Sequence, residues 1–136
     1  ENAKIHKSNS SRVYFFEGTW ENKSIFTGKS VDVVVANPPY IARKSTDVCS
    51  NVVRFEPDKA LFSSKNGMQD LTKIAKLSLS FLANNGWLYL EHGFDQGSLV
   101  RQMLSGLGYL HVQTVCDYTG AERVTFGQKR VLKVET

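Results

Sequence analysis

Apolar residues follow two rhythms along this chain. Residues 31–37 read Val-Asp-Val-Val-Val-Ala-Asn, a nearly continuous apolar run that predicts a strand covered on both faces in a parallel sheet. Residues 12–18, Arg-Val-Tyr-Phe-Phe-Glu-Gly, are β-branched and aromatic up to the glycine and predict another strand. Between Met68 and Asn84 the rhythm changes. Leu71, Ile74, Ala75, Ser78 and Leu82, flanked by Leu77 and Phe81, recur at helical spacing, and Asn85-Gly86 supplies a stop. Residues 87–93 predict a third buried strand. Residues 96–107 return to the helical pattern, with Leu99, Val100, Met103, Leu104 and Leu107 on one side and Gly108 beyond. Residues 111–118 and 123–134 alternate around Thr119-Gly120-Ala121-Glu122, which predicts a hairpin.

Strand, strand, helix, strand, helix and hairpin is the order of an α/β fold, a parallel sheet with a C-terminal antiparallel hairpin at one edge. Residues 1–11 read as a helix end and a polar loop, and 19–30 as a second polar loop. Residues 41–66 have few periodic apolar positions, and a loop that long inside a compact domain points to function. In open α/β sheets, ligands bind at the carboxyl ends of the strands, which is where residue 37 falls.

The 136 residues suit a single domain, and 41% hydrophobic with 22% charged residues excludes a disordered or collagen-like chain. No apolar run approaches the roughly 20 residues that cross a bilayer, and the first twelve residues lack the apolar core of a secretory signal. The net charge of +4 is spread without a basic run, so direct nucleic-acid binding is not expected. Cys49 and Cys116 form no C-x-x-C and read as free thiols, and His6, His92 and His111 form no metal pattern, so no metal is expected.

The chemistry concentrates in Asn37-Pro38-Pro39-Tyr40. An amide or aromatic amine nitrogen is a poor nucleophile because its lone pair is delocalised. A site helps by accepting both N–H hydrogens while aligning the nitrogen with an electrophile. Asn37 offers a side-chain oxygen and Pro38 a backbone carbonyl held by fixed φ. Tyr40 offers a flat face, and Pro38 with Pro39 stiffens the loop. The competing reading is a plain turn, for which Asn-Pro and Pro-Pro are common dipeptides.

This motif resembles that of the amino-methyltransferases that use S-adenosylmethionine. Val52-Val53-Arg54-Phe55-Glu56-Pro57-Asp58-Lys59-Ala60-Leu61, Gly67-Met68, residues 86–93 and residues 116–127 are similar, in order, to the HemK/PrmC family, the glutamine-N5 methyltransferases of peptide chain release factors. The resemblance spans residues 31–128. It implies a Rossmann-like class I methyltransferase fold, S-adenosyl-L-methionine as cofactor, and methylation of the glutamine amide in the GGQ loop of class 1 release factors. By motif match, Asn37 and Pro38 bind that amide and Tyr40 packs on it. Arg54 and Glu56 in the long loop, with Pro39 and Glu91, are the further substrate-binding candidates. DNA or RNA adenine methyltransferases share the four-residue motif, and a non-catalytic remnant of the fold is the third reading.

The cofactor side departs from the family. There is no glycine-rich turn after a first strand, so the first βα units are expected to be missing and one strand edge uncovered. Thr19 stands where the family has an acidic residue, and Glu17 lies two residues earlier on the same strand face. Glu17, Thr19 and Asn37 are therefore the candidate cofactor contacts. The implied location is cytoplasmic or mitochondrial. Asp117 and Arg123 flank the hairpin turn and are expected to bridge it. His92, Trp87, Phe55, Tyr118 and Phe126 are expected in packing or other structural roles.

Overall fold

The structure is a computed structural model, and it describes residues 14–19, 30–38, 41–42, 62–63 and 68–131. In chain order its elements are β1 (Val31–Ala36), β2 (Ile41–Ala42), β3 (Phe62–Ser63), α1 (Met68–Phe81), β4 (Leu82–Glu91), α2 (Gly97–Gly106), β5 (Leu110–Cys116) and β6 (Glu122–Gln128). Strands β2 and β3 form a short parallel pair. The main sheet has the order β1-β4-β6-β5, with β1 and β4 parallel and β6 antiparallel to both β4 and β5. The C-terminal hairpin thus occupies one edge, with β6 inside and β5 outermost.

Helix α1 forms where its apolar spacing predicts. Leu71, Ile74, Ala75 and Ser78 are buried. The Ser78 hydroxyl satisfies itself by donating to the Ile74 carbonyl at 2.8 Å, since an unpaired hydroxyl there would be costly. The helix ends at Phe81 and not at residue 84, because Leu82 already pairs with Val31 in the sheet. The next regular rung is Val33–Trp87, so residues 83–86 bulge from the ladder, with Asn85 at φ 63°. Gly86 suits the tight approach there: a Cβ would stand 3.0 Å from the Ala83 carbonyl and 3.1 Å from that of Asp32. The bulge carbonyls are satisfied from the end of β6 and the residue after it. Lys129 N–H donates to Gly86 O at 2.8 Å, and Gln128 Nε2 donates to Asn85 O at 3.0 Å.

Alternation along the strands decides the core. Leu88, Leu90, Val100 and Leu104 are fully buried and join Ala36, Leu71, Ile74 and Ala75 in one cluster. Tyr109 closes it, with its ring buried and its hydroxyl donating to the Ala75 carbonyl at 2.8 Å. On the alternate positions, Val35, Tyr89 and Phe126 are register partners across three strands. Tyr89 stacks on Phe126 at 5.3 Å, and Trp87 lies 5.9 Å from Phe126.

Two expectations are corrected. The apolar run of β1 is not covered on both faces: Val33 is 52% and Val35 77% exposed, on the edge strand of the described sheet. Residues 14–17, from the strand expected at 12–18, pair with nothing among the described residues, and Tyr14 and Phe15 are each 75% exposed. An aromatic, β-branched run becomes a strand only when a neighbour accepts its hydrogen bonds. An apolar, unpaired edge also recruits other chains. Val35→Lys is therefore expected to reduce self-association in sedimentation velocity while changing unfolding free energy by no more than about 0.5 kcal/mol, the usual range for exposed positions. Unchanged association would contradict an open edge.

The hairpin turn is organised by Asp117, as its flanking position predicts. Its Oδ1 accepts from the Thr119 hydroxyl at 2.6 Å, the Thr119 N–H at 2.8 Å and the Ala121 N–H at 3.2 Å, while Oδ2 accepts from Arg123 Nε and Nη2 at 3.2 and 3.1 Å. Tyr118, expected to pack, is instead fully exposed at the tip. The Thr119 hydroxyl, then the Thr119 N–H, with Arg123 and the Ala121 N–H adding, outweigh the loss of solvent and hold the Asp117 carboxyl at about 2 against an ordinary 3.8. A carboxyl depressed in the folded state stabilises above its ordinary value, and that contribution disappears as pH falls through the folded value. Urea midpoints of the unaltered chain should therefore decline from pH 3.8 toward about 2. Asp117→Asn should be less stable at neutral pH and show a flatter decline. Parallel curves for the two proteins would exclude this role.

Candidate functional site

Strand β1 delivers Asn37 and Pro38 to the carboxyl edge of the sheet. Pro38 is fully buried and Asn37 is exposed, so a rigid, packed ring supports a side chain open to solvent. The last rung between β1 and β4 is Ala36–Leu90. Asn37, just past β1, and Glu91, the last residue of β4, follow that rung on parallel neighbours and therefore lie at the same end of the sheet. Glu91 is half-buried.

The structure thus brings Asn37, Pro38 and Glu91 to one strand end. Pro39, Tyr40, Arg54 and Glu56 lie outside the described residues. Glu17 and Thr19 are exposed, in a segment with no assigned strand. Among the described residues no group of three or more His, Cys, Asp and Glu side chains could hold a metal ion, and no helix is long and apolar enough to cross a membrane. Cys116 is a free, exposed thiol.

Immediately after Glu91 the chain turns through a short loop into α2. His92 is fully buried. Its N–H donates to the Arg123 carbonyl at 2.9 Å, and its own carbonyl accepts from Arg123 Nη1 at 3.4 Å. The loop is clamped by Gln96, whose N–H donates to Gly93 O at 2.9 Å while its Oε1 accepts from the Gly93 N–H at 2.9 Å.

Behind this loop runs a polar chain that the sequence pattern did not single out. His92 Nδ1 lies 2.8 Å from Gly93 O, and Nε2 lies 2.7 Å from Thr125 Oγ1. Thr125 Oγ1 is 2.7 Å from Thr114 Oγ1, which accepts from Arg101 Nη1 at 2.8 Å. Arg101 also pairs with Glu122 at 2.6 Å. Gly97 opens α2 with no side chain, which is what admits the Glu122 carboxylate: a Cβ at Gly97 would collide with Glu122 Oε2. Burial pushes the His92 imidazole below its ordinary value. The Gly93 carbonyl and Glu122 oppose that push, and Arg123 and Arg101 add to it. The sequence carries a faint signal for this chain, two threonines at inward-facing positions of a hairpin. Only the three-dimensional register, with Thr114 opposite Thr125, makes them neighbours.

No family model matches the sequence. Similarity to individual proteins is extensive. The chain is 42% identical over 127 residues to the release factor glutamine methyltransferase of Aliivibrio fischeri, covering 93% of this chain and 44% of that protein. It is 39% identical over 133 residues to that of Vibrio cholerae, covering 94% and 46%. It is 44% identical over 105 residues to that of Salmonella typhimurium, covering 77% and 38%. The chain therefore spans less than half the length of these relatives. Among solved structures, it matches the release factor-specific protein-(glutamine-N5) methyltransferase of Alicyclobacillus acidocaldarius at TM-score 0.51 and 22% identity, over 82% of this chain and 56% of the other. It matches an O-methyltransferase family protein of Burkholderia thailandensis at TM-score 0.56 and 14% identity, over 94% and 39%. These two likenesses show the fold alone, an α/β sheet with helices packed on it. With that fold and about two-fifths identity along nearly all of its length, the chain is similar to the release factor glutamine methyltransferases, matching somewhat less than half of such a protein.

Proposed function

We propose that this chain is the substrate-gripping part of an S-adenosylmethionine-dependent methyltransferase whose acceptor is the side-chain amide nitrogen of the glutamine in the GGQ loop of class 1 release factors. The observation that carries this reading is the exposed Asn37 set on the buried Pro38 at the carboxyl end of a parallel strand. That is where open α/β sheets hold their ligands. Asn37 takes one N–H of the acceptor amide through its side-chain oxygen, and the Pro38 carbonyl takes the other. Two acceptors fix the amide plane and keep electron density on the nitrogen as its bond to carbon forms. Tyr40 lies against the amide face. Pro39, Arg54, Glu56 and Glu91 shape the entry for the loop.

On the cofactor side, Glu17, Thr19 and Asn37 are the residues proposed to make contact. Glu17 and Thr19 are exposed carboxylate and hydroxyl groups suited to a nucleoside, and Asn37 is open beside the acceptor position. When bound, the cofactor supplies a methyl group on a cationic sulfur. The glycine-rich turn that would approach it closely is not in this sequence, and β1 is the edge strand of the main sheet among the described residues. The compartment follows the release factor, cytosol or mitochondrion.

The test is transfer of a labelled methyl group from S-adenosylmethionine, with the upstream coding sequence restored, to a release factor and to its GGQ Gln→Ala variant. Label on the glutamine form alone is expected. Equal labelling of both forms, or labelling of DNA or RNA instead, would overturn the reading.

A further inference from the structure

With the His92 ring neutral, the bonds behind the β4 loop run in one direction. A guanidinium only donates, so Thr114 Oγ1 accepts from Arg101 at 2.8 Å. The Thr114 hydrogen then points to Thr125 Oγ1 at 2.7 Å, and the Thr125 hydrogen to His92 Nε2 at 2.7 Å. From the other end, a carbonyl only accepts, so the Gly93 oxygen at 2.8 Å places the ring hydrogen on Nδ1. The Arg101 end is compatible with that tautomer. A cationic ring would donate from Nε2 as well, turning the Thr125 hydrogen away from the ring to Thr114 Oγ1, which already accepts from Arg101. The Thr114 hydrogen would then be displaced from the path and need another acceptor. The charged groups that bear on the ring are Glu122 and Arg123 from β6 and Arg101 from α2.

We infer that the path Arg101–Thr114–Thr125–His92–Gly93 is a polarised relay that locks His92 as the neutral Nδ1–H tautomer and makes it the positioning residue for the loop at the carboxyl end of β4, beside Asn37. The Gly93 carbonyl that receives the ring hydrogen also receives the Gln96 N–H, so the relay sets the loop that leaves the strand next to β1. His92 touches none of the reacting atoms. Its effect reaches them by holding the sheet end on which Asn37 and Glu91 stand. The consequence for methyl transfer rests on the function proposed above, whereas the relay itself does not.

Long-range proton–nitrogen NMR of the His92 ring tests the relay. The Nδ1–H form is expected, unchanged from about pH 5.5 to 8, where an unperturbed histidine titrates. An Nε2–H form, or titration near the ordinary value, would overturn it. Thr125→Val removes the hydroxyl and keeps the shape, and Thr125→Ser restores the hydroxyl. Loss of one buried hydrogen bond should speed exchange of the Gln96 amide about tenfold in the valine variant, while the Leu71 and Ile74 amides stay within about twofold. Serine should restore slow exchange. Uniform acceleration across the domain, or none, would reduce these groups to ordinary packing. In the methyl-transfer assay the valine variant should lose kcat with KM retained, and serine should recover it. If the unaltered protein transfers no methyl group, the proposed function fails, yet the NMR and exchange results still decide the relay.

Discussion

Asn37→Ala should lower methyl transfer to a release factor by about 10²- to 10³-fold, the loss typical when one preorganised hydrogen-bonding group is removed from a developing charge. The expectation follows from the proposed role of the side-chain oxygen. Without it, one amide N–H of the acceptor has no partner, and the nitrogen is free to rotate away from the electrophile. The same substitution should leave the fold intact. Asn37 is exposed and lies just past the last rung of β1, and exposed substitutions usually shift stability by no more than about 0.5 kcal/mol. Activity and urea midpoint should therefore part company in this variant. Transfer within about threefold of the unaltered protein would remove Asn37 from the reaction, since a group that matters at the transition state costs more than that.

Leu90→Ala should produce the opposite pattern, a loss of about 2–5 kcal/mol in unfolding free energy, as for other buried leucines truncated to a methyl group. Leu90 is fully buried, pairs with Ala36 on one side and Thr125 on the other, and belongs to the main core cluster. Its truncation leaves a cavity beneath the rung from which Asn37 departs. Urea denaturation gives the measurement, with Val35→Ala as the comparison, because Val35 sits on the adjacent strand but is 77% exposed. A loss below about 1 kcal/mol at Leu90 would mean that the core collapses around the gap or is packed differently.

The two helices and β4 were legible because burial imposes a period. Leu71, Ile74, Ala75 and Ser78 meet the core together only on a helix, and Leu88 and Leu90 only on a strand. What periodicity cannot supply is the neighbour. The valines of β1 announced a strand but not that Val33 and Val35 would face solvent, since coverage depends on elements elsewhere. Asn85-Gly86 carried a turn signal that belongs to a strand bulge, because pairing of Leu82 with Val31 ends the helix first. The Asp117–Arg123 bridge was legible since its partners are six residues apart across a turn. Arg101 and Glu122 are 21 apart and meet only once α2 lies over β6. Of the site, Asn37 and Pro38 could be read from their place after an apolar run. His92 could not, because nothing in Glu-His-Gly tells of the hydroxyl waiting 33 residues downstream.

Strand β6 lies between β4 and β5 although it comes after both in the chain. During synthesis, α1, β4, α2 and β5 are all made before the strand that joins β4 to β5. A nascent chain therefore carries two strands whose inner edges stay open until Gln128 has left the ribosome. That interval makes the sheet a late-closing structure, dependent on pairings distant in sequence, and exposes it to capture by chaperones or by other nascent chains.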